Sequence, residues 1–276
     1  MNYILFYSGK LPSYINYSID SIIKTENNNS KIFLISDQKL FRKDINLLQI
    51  KDLKNDLFEE IKKINYFKKE NDPLWEKSLE RIFYLNEAAK QLRINNFIHF
   101  DCDVLIYKSF ENLKNLFSTN KVNITPLNEL FLNFSYCFVD GLNNFNKICE
   151  DILKTLENSS YFENRYYSGN RLNEMLLMNI AYINSPNSFR LLKIVPPNSD
   201  YILFDPGSYG QYLGGVDRKI FSKKTINFDH YVGRDILKKG LKVSFKNGTP
   251  KVMYKENEYY LANLHIHKKN LGDFIK

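Results

Sequence analysis

The chain has 276 residues, 43% of them hydrophobic, and a formal charge of +8. That length and apolar share suit one sizeable core and exclude a fibre, a repeat array or wholesale disorder, and no apolar run approaches the ~20 residues needed to span a bilayer. The lysines are spread along the chain with no arginine–aromatic cluster or zinc finger, which excludes nucleic acid and leaves a solvated lysine-rich surface, anionic substrates or an anionic membrane face to account for the charge.

The N-terminus, MNYILFYSGKLPS, lacks the basic start of a signal peptide, so a cytoplasmic protein is expected. Its apolar run reads as a strand over 2–9 that stops at Ser8-Gly9. Apolar residues at 15, 19, 22 and 23 predict a helix over 12–25, with Pro12 in its first turn. SKIFLISD (30–37) is a second buried strand, and the strand–helix–strand order opens an α/β sheet domain. LLQIKDL reads as a shorter strand. Asp72-Pro73 marks a helix start, after which Trp75, Leu79, Ile82, Phe83, Ala89 and Leu92 share one face. Trp75 reads as a core anchor, and Arg81, off that stripe, can reach a phosphate or an acid. FIHFDCDVLIY follows the helix as a strand. Further strands are expected in KVNITPL and FLNFSYCFVDGL, and helices in NFNKICEDILKTLEN and RLNEMLLMNIAYINS. A loop rich in glycine, proline and aromatics spans 195–217, and KNGTP turns between two short strands. Cys102, Cys137 and Cys149 form no Cys-x-x-Cys pair, which fits buried thiols and argues against structural zinc.

Asp101 and Asp103 fall near the carboxyl end of a strand, where open α/β sheets bind ligands. Residues i and i+2 of a strand share a side. Both carboxylates can then converge on one Mg²⁺ or Mn²⁺ that also meets substrate phosphates. Without a cation, their like charges would raise one pKa and destabilise the site. His265 and His267 have the same spacing in NLHIHKKN, and imidazole is a common metal ligand. His267, beside the lysines, is preferred, with His265 close behind; Lys268 and Lys269 can neutralise a diphosphate. Gly207, Gly210, Gly214 and Gly215 allow close backbone approach, while Asp205, Gln211 and Asp217 offer groups for sugar hydroxyls. Glu174, on a helix, can act as a general base or contact an acceptor. Plainer readings exist for each feature: a solvated tail, a turn-rich loop, an exposed helical glutamate.

The order of these elements, with FIHFDCDVLIY in the first half and a C-terminal histidine beside lysines, resembles the GT-A-fold glycosyltransferases. It is most similar to their glycogenin-like and lipopolysaccharide galactosyltransferase branch, of bacterial surface-glycan type. The likeness covers residues 1–110 and returns over the last dozen. HIHKKNLGDF departs from the usual His-x-x-Gly-x-Lys-Pro-Trp ending. The resemblance implies a single GT-A (Rossmann-like) α/β domain over 1–276, with a mixed central sheet flanked by helices. Residues 1–110 would form the nucleotide-sugar half and 111–276 the acceptor half. It implies Mn²⁺ or Mg²⁺ held by Asp101 and Asp103 with His265 or His267, and a nucleoside-diphosphate sugar donor, uridine diphosphate being expected. Tyr7, Ser8, Arg81 and Asp101 would line the nucleotide pocket, and Lys268 and Lys269 would meet the diphosphate. An inverting enzyme needs a carboxylate base, for which Asp205, Asp217 and Glu174 are the candidates; the stereochemistry stays open. The acceptor would be a glycan or lipid-linked, in capsule or lipooligosaccharide synthesis, and the basic charge allows peripheral contact with the inner membrane. Two other readings are a nucleotidyltransferase, for which Gly9 and Lys10 are thin support, and a non-catalytic nucleotide- or sugar-binding protein.

Overall fold

The structure is a computed structural model that describes residues 1–64, 66, 73–169, 171–213 and 227–275. Strand β1 (Asn2–Tyr7) feeds helix α1 (Ile15–Thr25), which returns the chain to β2 (Lys31–Ser36) and then β3 (Asn46–Gln49). Helices α2 (Asp56–Lys63) and α3 (Pro73–Leu92) lead to β4 (Asn96–Phe100) and, after a turn, β5 (Val104–Ile106). Next come α4 (Phe110–Leu113), the hairpin of β6 (Val122–Pro126) and β7 (Leu132–Asp140), and helices α5 (Leu142–Glu157), α6 (Ser159–Tyr167) and α7 (Glu174–Asn184). The last third carries β8 (Phe189–Leu191), β9 (Ile202–Leu203), α8 (Tyr209–Tyr212) and α9 (Tyr231–Lys239). It closes with β10 (Lys242–Lys246), β11 (Thr249–Tyr254), β12 (Asn257–Leu261) and β13 (Asn263–His265).

The main sheet runs β3-β2-β1-β4-β7-β6-β8. β3, β2, β1 and β4 are parallel, and β7 is antiparallel to both its neighbours. The inner strands are buried on both faces, as a sheet covered on both sides requires. One face packs on α2, α3, α5 and α7 through Phe58, Phe83, Phe145 and Leu177. The other packs on α1 through Ile15, Ile19 and Ile22. This is the expected mixed α/β fold. A second sheet, β10-β11-β12-β9, and the β13–β5 ladder enclose a smaller core around Tyr209, Leu261 and Leu264.

Two features place the site. Parallel pairing puts the carboxyl ends of β1, β2 and β4 at one sheet edge. The β13–β5 ladder sets His265 opposite Val104 and so brings the C-terminal segment to that edge. Several details differ from the sequence reading. The first strand ends at Tyr7, and the helix starts at Ile15 with Pro12 in the preceding turn. Trp75 is only half-buried, because the α3 core contacts are made further along, from Leu79 to Ala89. Asp72 lies outside the described residues.

Candidate active site

Asp101 and Asp103 sit in a turn between β4 and β5, not on the pleat of one continuous strand. The Asp101 N–H donates to the Ser135 carbonyl (3.0 Å), and the Val104 N–H donates to the Asp101 carbonyl (2.9 Å). Between them, the buried Cys102 thiol donates to the Phe6 carbonyl of β1 (3.5 Å). The turn, and not strand alternation, is what aims both carboxylates the same way. From the facing ladder, the Ile266 N–H donates to the Asp103 carbonyl at 2.9 Å. His265 Nε2 lies 3.1 Å from Asp103 Oδ2. Lys269 takes a left-handed backbone conformation, φ +65°, and its ammonium donates to the same oxygen.

Ligand atoms of Asp101, Asp103 and His265 all lie within 4.8 Å of one another. Two carboxylates and an imidazole fit a hard divalent ion, with the remaining positions left for phosphate oxygens and water. Arg81 Nε, His99 Nε2, Ser135 Oγ and His265 Nδ1 are buried without a partner among the described residues. Unsatisfied buried polar groups are rare in a folded core and call for an explanation; these four belong to residues at or next to the acidic turn and its partners, while others lie elsewhere in the described residues. Burial alone would raise the Asp103 pKa, but His265 and Lys269 outweigh it and hold the carboxyl far below the usual range.

Arg81, off the apolar stripe of α3 as expected, is nonetheless buried. Its guanidinium donates through Nη1 to Asp101 and through Nη2 to Glu174 Oε1 (2.8 Å). It also lies over the Phe134 ring, 5.8 Å from the centroid. Glu174 opens α7 behind the Asn173 cap, whose side chain accepts the Leu176 N–H. It is buried, not solvent-exposed; burial raises its pKa and Arg81 works against that rise. His99 was not singled out in the sequence. Its Nδ1–H donates to the Ile4 carbonyl (2.7 Å), leaving Nε2 unprotonated 3.9 Å from Asp101 Oδ1. Burial and then Arg81 hold its pKa well down. The available signal was its place two residues before Asp101, on the same side of the strand.

The 205–210 loop is built on Asp205, which is fully buried. Its Oδ1 accepts the N–H groups of Gly207 (3.0 Å), Ser208 (2.7 Å) and Tyr209 (2.8 Å). Its Oδ2 accepts those of Gly210 (3.1 Å) and His265 (2.9 Å). A Cβ on Gly210 would stand 2.0 Å from the His265 carbonyl oxygen, so this close approach requires glycine. Gln211 donates to the Gly207 carbonyl (3.0 Å) within the same loop. His267 also binds that carbonyl, donating from Nε2 (3.0 Å), and stacks on His265 with ring centroids 4.1 Å apart. Burial lowers its pKa to about 4. Of the two histidines, His265 joins the aspartates and His267 lies behind it. Lys268 is exposed. Tyr7 and Ser8 are half-buried at the end of β1, and the next N–H, of Gly9, donates to Asp37 at the root of the β2–β3 loop (3.0 Å). Asp217, Gly214 and Gly215 lie outside the described residues.

No family model matches the chain, and no curated protein matches it. Solved structures do. The chain is similar to the galactosyltransferase LgtC in complex with donor and acceptor sugar analogs, at 9% identity over 96% of this chain and 86% of that one, with a TM-score of 0.49. It is similar to the apo form of mouse xyloside xylosyltransferase 1, at 12% identity over 70% of this chain and 86% of that one, with a TM-score of 0.48. It is also similar to the apo form of the glycosyltransferase GlyE of Streptococcus pneumoniae, at 9% identity over 78% and 48%, with a TM-score of 0.42. All three are named as glycosyltransferases.

Proposed function

We propose that this protein is a metal-dependent glycosyltransferase. It takes a sugar from a nucleoside-diphosphate sugar of the uridine class and passes it to a glycan or lipid-linked acceptor in bacterial capsule or lipooligosaccharide synthesis. The observation that carries this reading is the convergence of Asp101, Asp103 and His265, with Lys269 against them, at the carboxyl edge of the parallel strands.

Asp101, Asp103 and His265 would hold Mn²⁺ or Mg²⁺, an ion that supplies positive charge to a departing nucleoside diphosphate when bound. Lys269 offers an ammonium that can exchange Asp103 for a phosphate oxygen, with Lys268 next to it. Tyr7 and Ser8 supply the nucleoside side of the pocket. Arg81 orients Asp101 and balances Glu174 in the same network. Among the three acids considered as a base, Asp205 serves the loop, since both its oxygens are taken by backbone N–H groups. Glu174 is the buried acid linked to the cation site, and it is the one we assign to the reaction.

The test is turnover. With Mn²⁺ present, the purified chain should release nucleoside diphosphate slowly from one sugar donor in a panel. EDTA or Asp103→Asn should stop that release. A chain that hydrolyses and transfers nothing from any nucleotide sugar, with or without metal, is not this enzyme.

A further inference from the structure

The connection between β2 and β3, DQKLFRKDI, carries the most exposed of the large apolar side chains described: Phe41 is 91% exposed. One exposed apolar residue is ordinary on its own. The surroundings of Phe41 are less so. Leu40 and Ile45 pack against the core beside α1. Arg42 is clamped: its Nε donates to Asp44 (2.9 Å), Nη2 to Asp20 (2.7 Å) and Nη1 to the Asn16 side chain (3.2 Å). The Arg42 N–H donates back to the Leu40 carbonyl (3.2 Å), closing a tight turn across Phe41. The ring is therefore held out at the apex of a pinned turn. Lys39 and Lys43, two residues to either side, are both exposed.

An aromatic apex between two cations suits the interface of an anionic bilayer. The ring enters the boundary of the acyl chains while the ammonium groups stay at the level of the lipid phosphates. We infer that the Lys39–Lys43 turn docks this protein on an anionic membrane surface, with Phe41 inserted and Lys39 and Lys43 on head-group phosphates. The turn belongs to the crossover between the parallel strands β2 and β3, and Arg42 pins it to Asn16 and Asp20 of α1, so the docked surface is the α1 flank of the sheet. This deepens the proposed function by naming how a lipid-linked acceptor would be met. Stacking of Phe41 on a nucleobase is the competing role for an exposed ring.

The experiment is co-sedimentation of the full chain with vesicles of phosphatidylglycerol and phosphatidylcholine in equal parts, and with phosphatidylcholine alone. F41S leaves the charge unchanged and should weaken binding to the anionic vesicles about five- to tenfold. K39A/K43A should weaken it at least as much, since each lysine near such a surface is worth about fivefold. K242A/K246A removes the same charge from the exposed ends of β10 and should stay within about twofold of wild type. F41W should show a blue shift on anionic vesicles beyond that of the wild-type Trp75. The inference is overturned if wild type ignores anionic vesicles, if F41S binds as wild type does, or if both lysine pairs matter equally. It is also overturned if F41S changes only the Mn²⁺-dependent effect of uridine diphosphate on the melting temperature. A chain that docks through Phe41 yet never binds a nucleoside diphosphate keeps this inference and loses the proposed function.

Discussion

Arg81 is the residue on which the buried charges depend. It faces Asp101 and Glu174 at once, and Glu174 is buried. Breaking a buried ion pair from one side leaves an uncompensated charge, so Arg81→Leu should cost about 3 kcal/mol at neutral pH. Glu174→Gln in the Arg81→Leu background should return part of that loss, which a double-mutant cycle from urea unfolding would measure. Arg81→Lys should not substitute, because a single ammonium cannot fork between two acids. His267 gives a pH signature. Burial lowers its pKa from 6.5 to about 4, so the unfolded chain takes up the proton first. Its contribution to stability is complete above pH 6.5 and is lost as the pH falls towards about 4. With EDTA present, His267→Asn should flatten the wild-type fall in melting temperature across that window. An unchanged slope would mean that His267 is not buried neutral.

At the scale of elements, the 205–210 loop and the β13–β5 ladder explain why His265 meets Asp103. Asp205 ties the loop to the His265 N–H, and the ladder fixes the register. Asp205→Asn would turn an amide donor towards N–H groups that now donate to a carboxylate. Stability should fall by about 2–3 kcal/mol, since buried donors would be left unsatisfied. A base that served only catalysis would leave the melting temperature unchanged, so thermal unfolding separates the two roles. The early elements were legible because local pattern decides them: β1, α1, β2 and α3 all lie within a few residues of their expected places. Helix α6 was not, since none of its residues is buried and it shows no apolar stripe. Helix α9 has Gly233 inside it, which reads as a break. Of the site, the acidic pair, Arg81, Glu174 and the two-histidine segment could be read from the chain. The choice between His265 and His267 could not, because the deciding contact lies 162 residues away and depends on strand register. The partners of Asp205 were not legible either, for the same reason: they are backbone N–H groups that no side-chain pattern reveals.

At the scale of the whole molecule, the chain joins a half-parallel sheet to a C-terminal segment that returns to its edge. No helix among the described residues is long and apolar enough to cross a membrane. The net charge of +8 is compatible with anionic partners, for which two addresses are proposed: the Lys269 side of the proposed cation site and the Lys39–Lys43 turn. The central claim is that Asp101, Asp103 and His265 form a cation site that binds a nucleoside diphosphate. Thermal unfolding with uridine diphosphate, in Mn²⁺ and in EDTA, tests it most directly. At a hundredfold excess over Kd, the nucleotide should stabilise the chain by about 2.7 kcal/mol with Mn²⁺ present. That gain should vanish in EDTA and in Asp103→Asn. An equal shift without metal, or no shift with uridine, guanosine or cytidine diphosphate, would contradict the account.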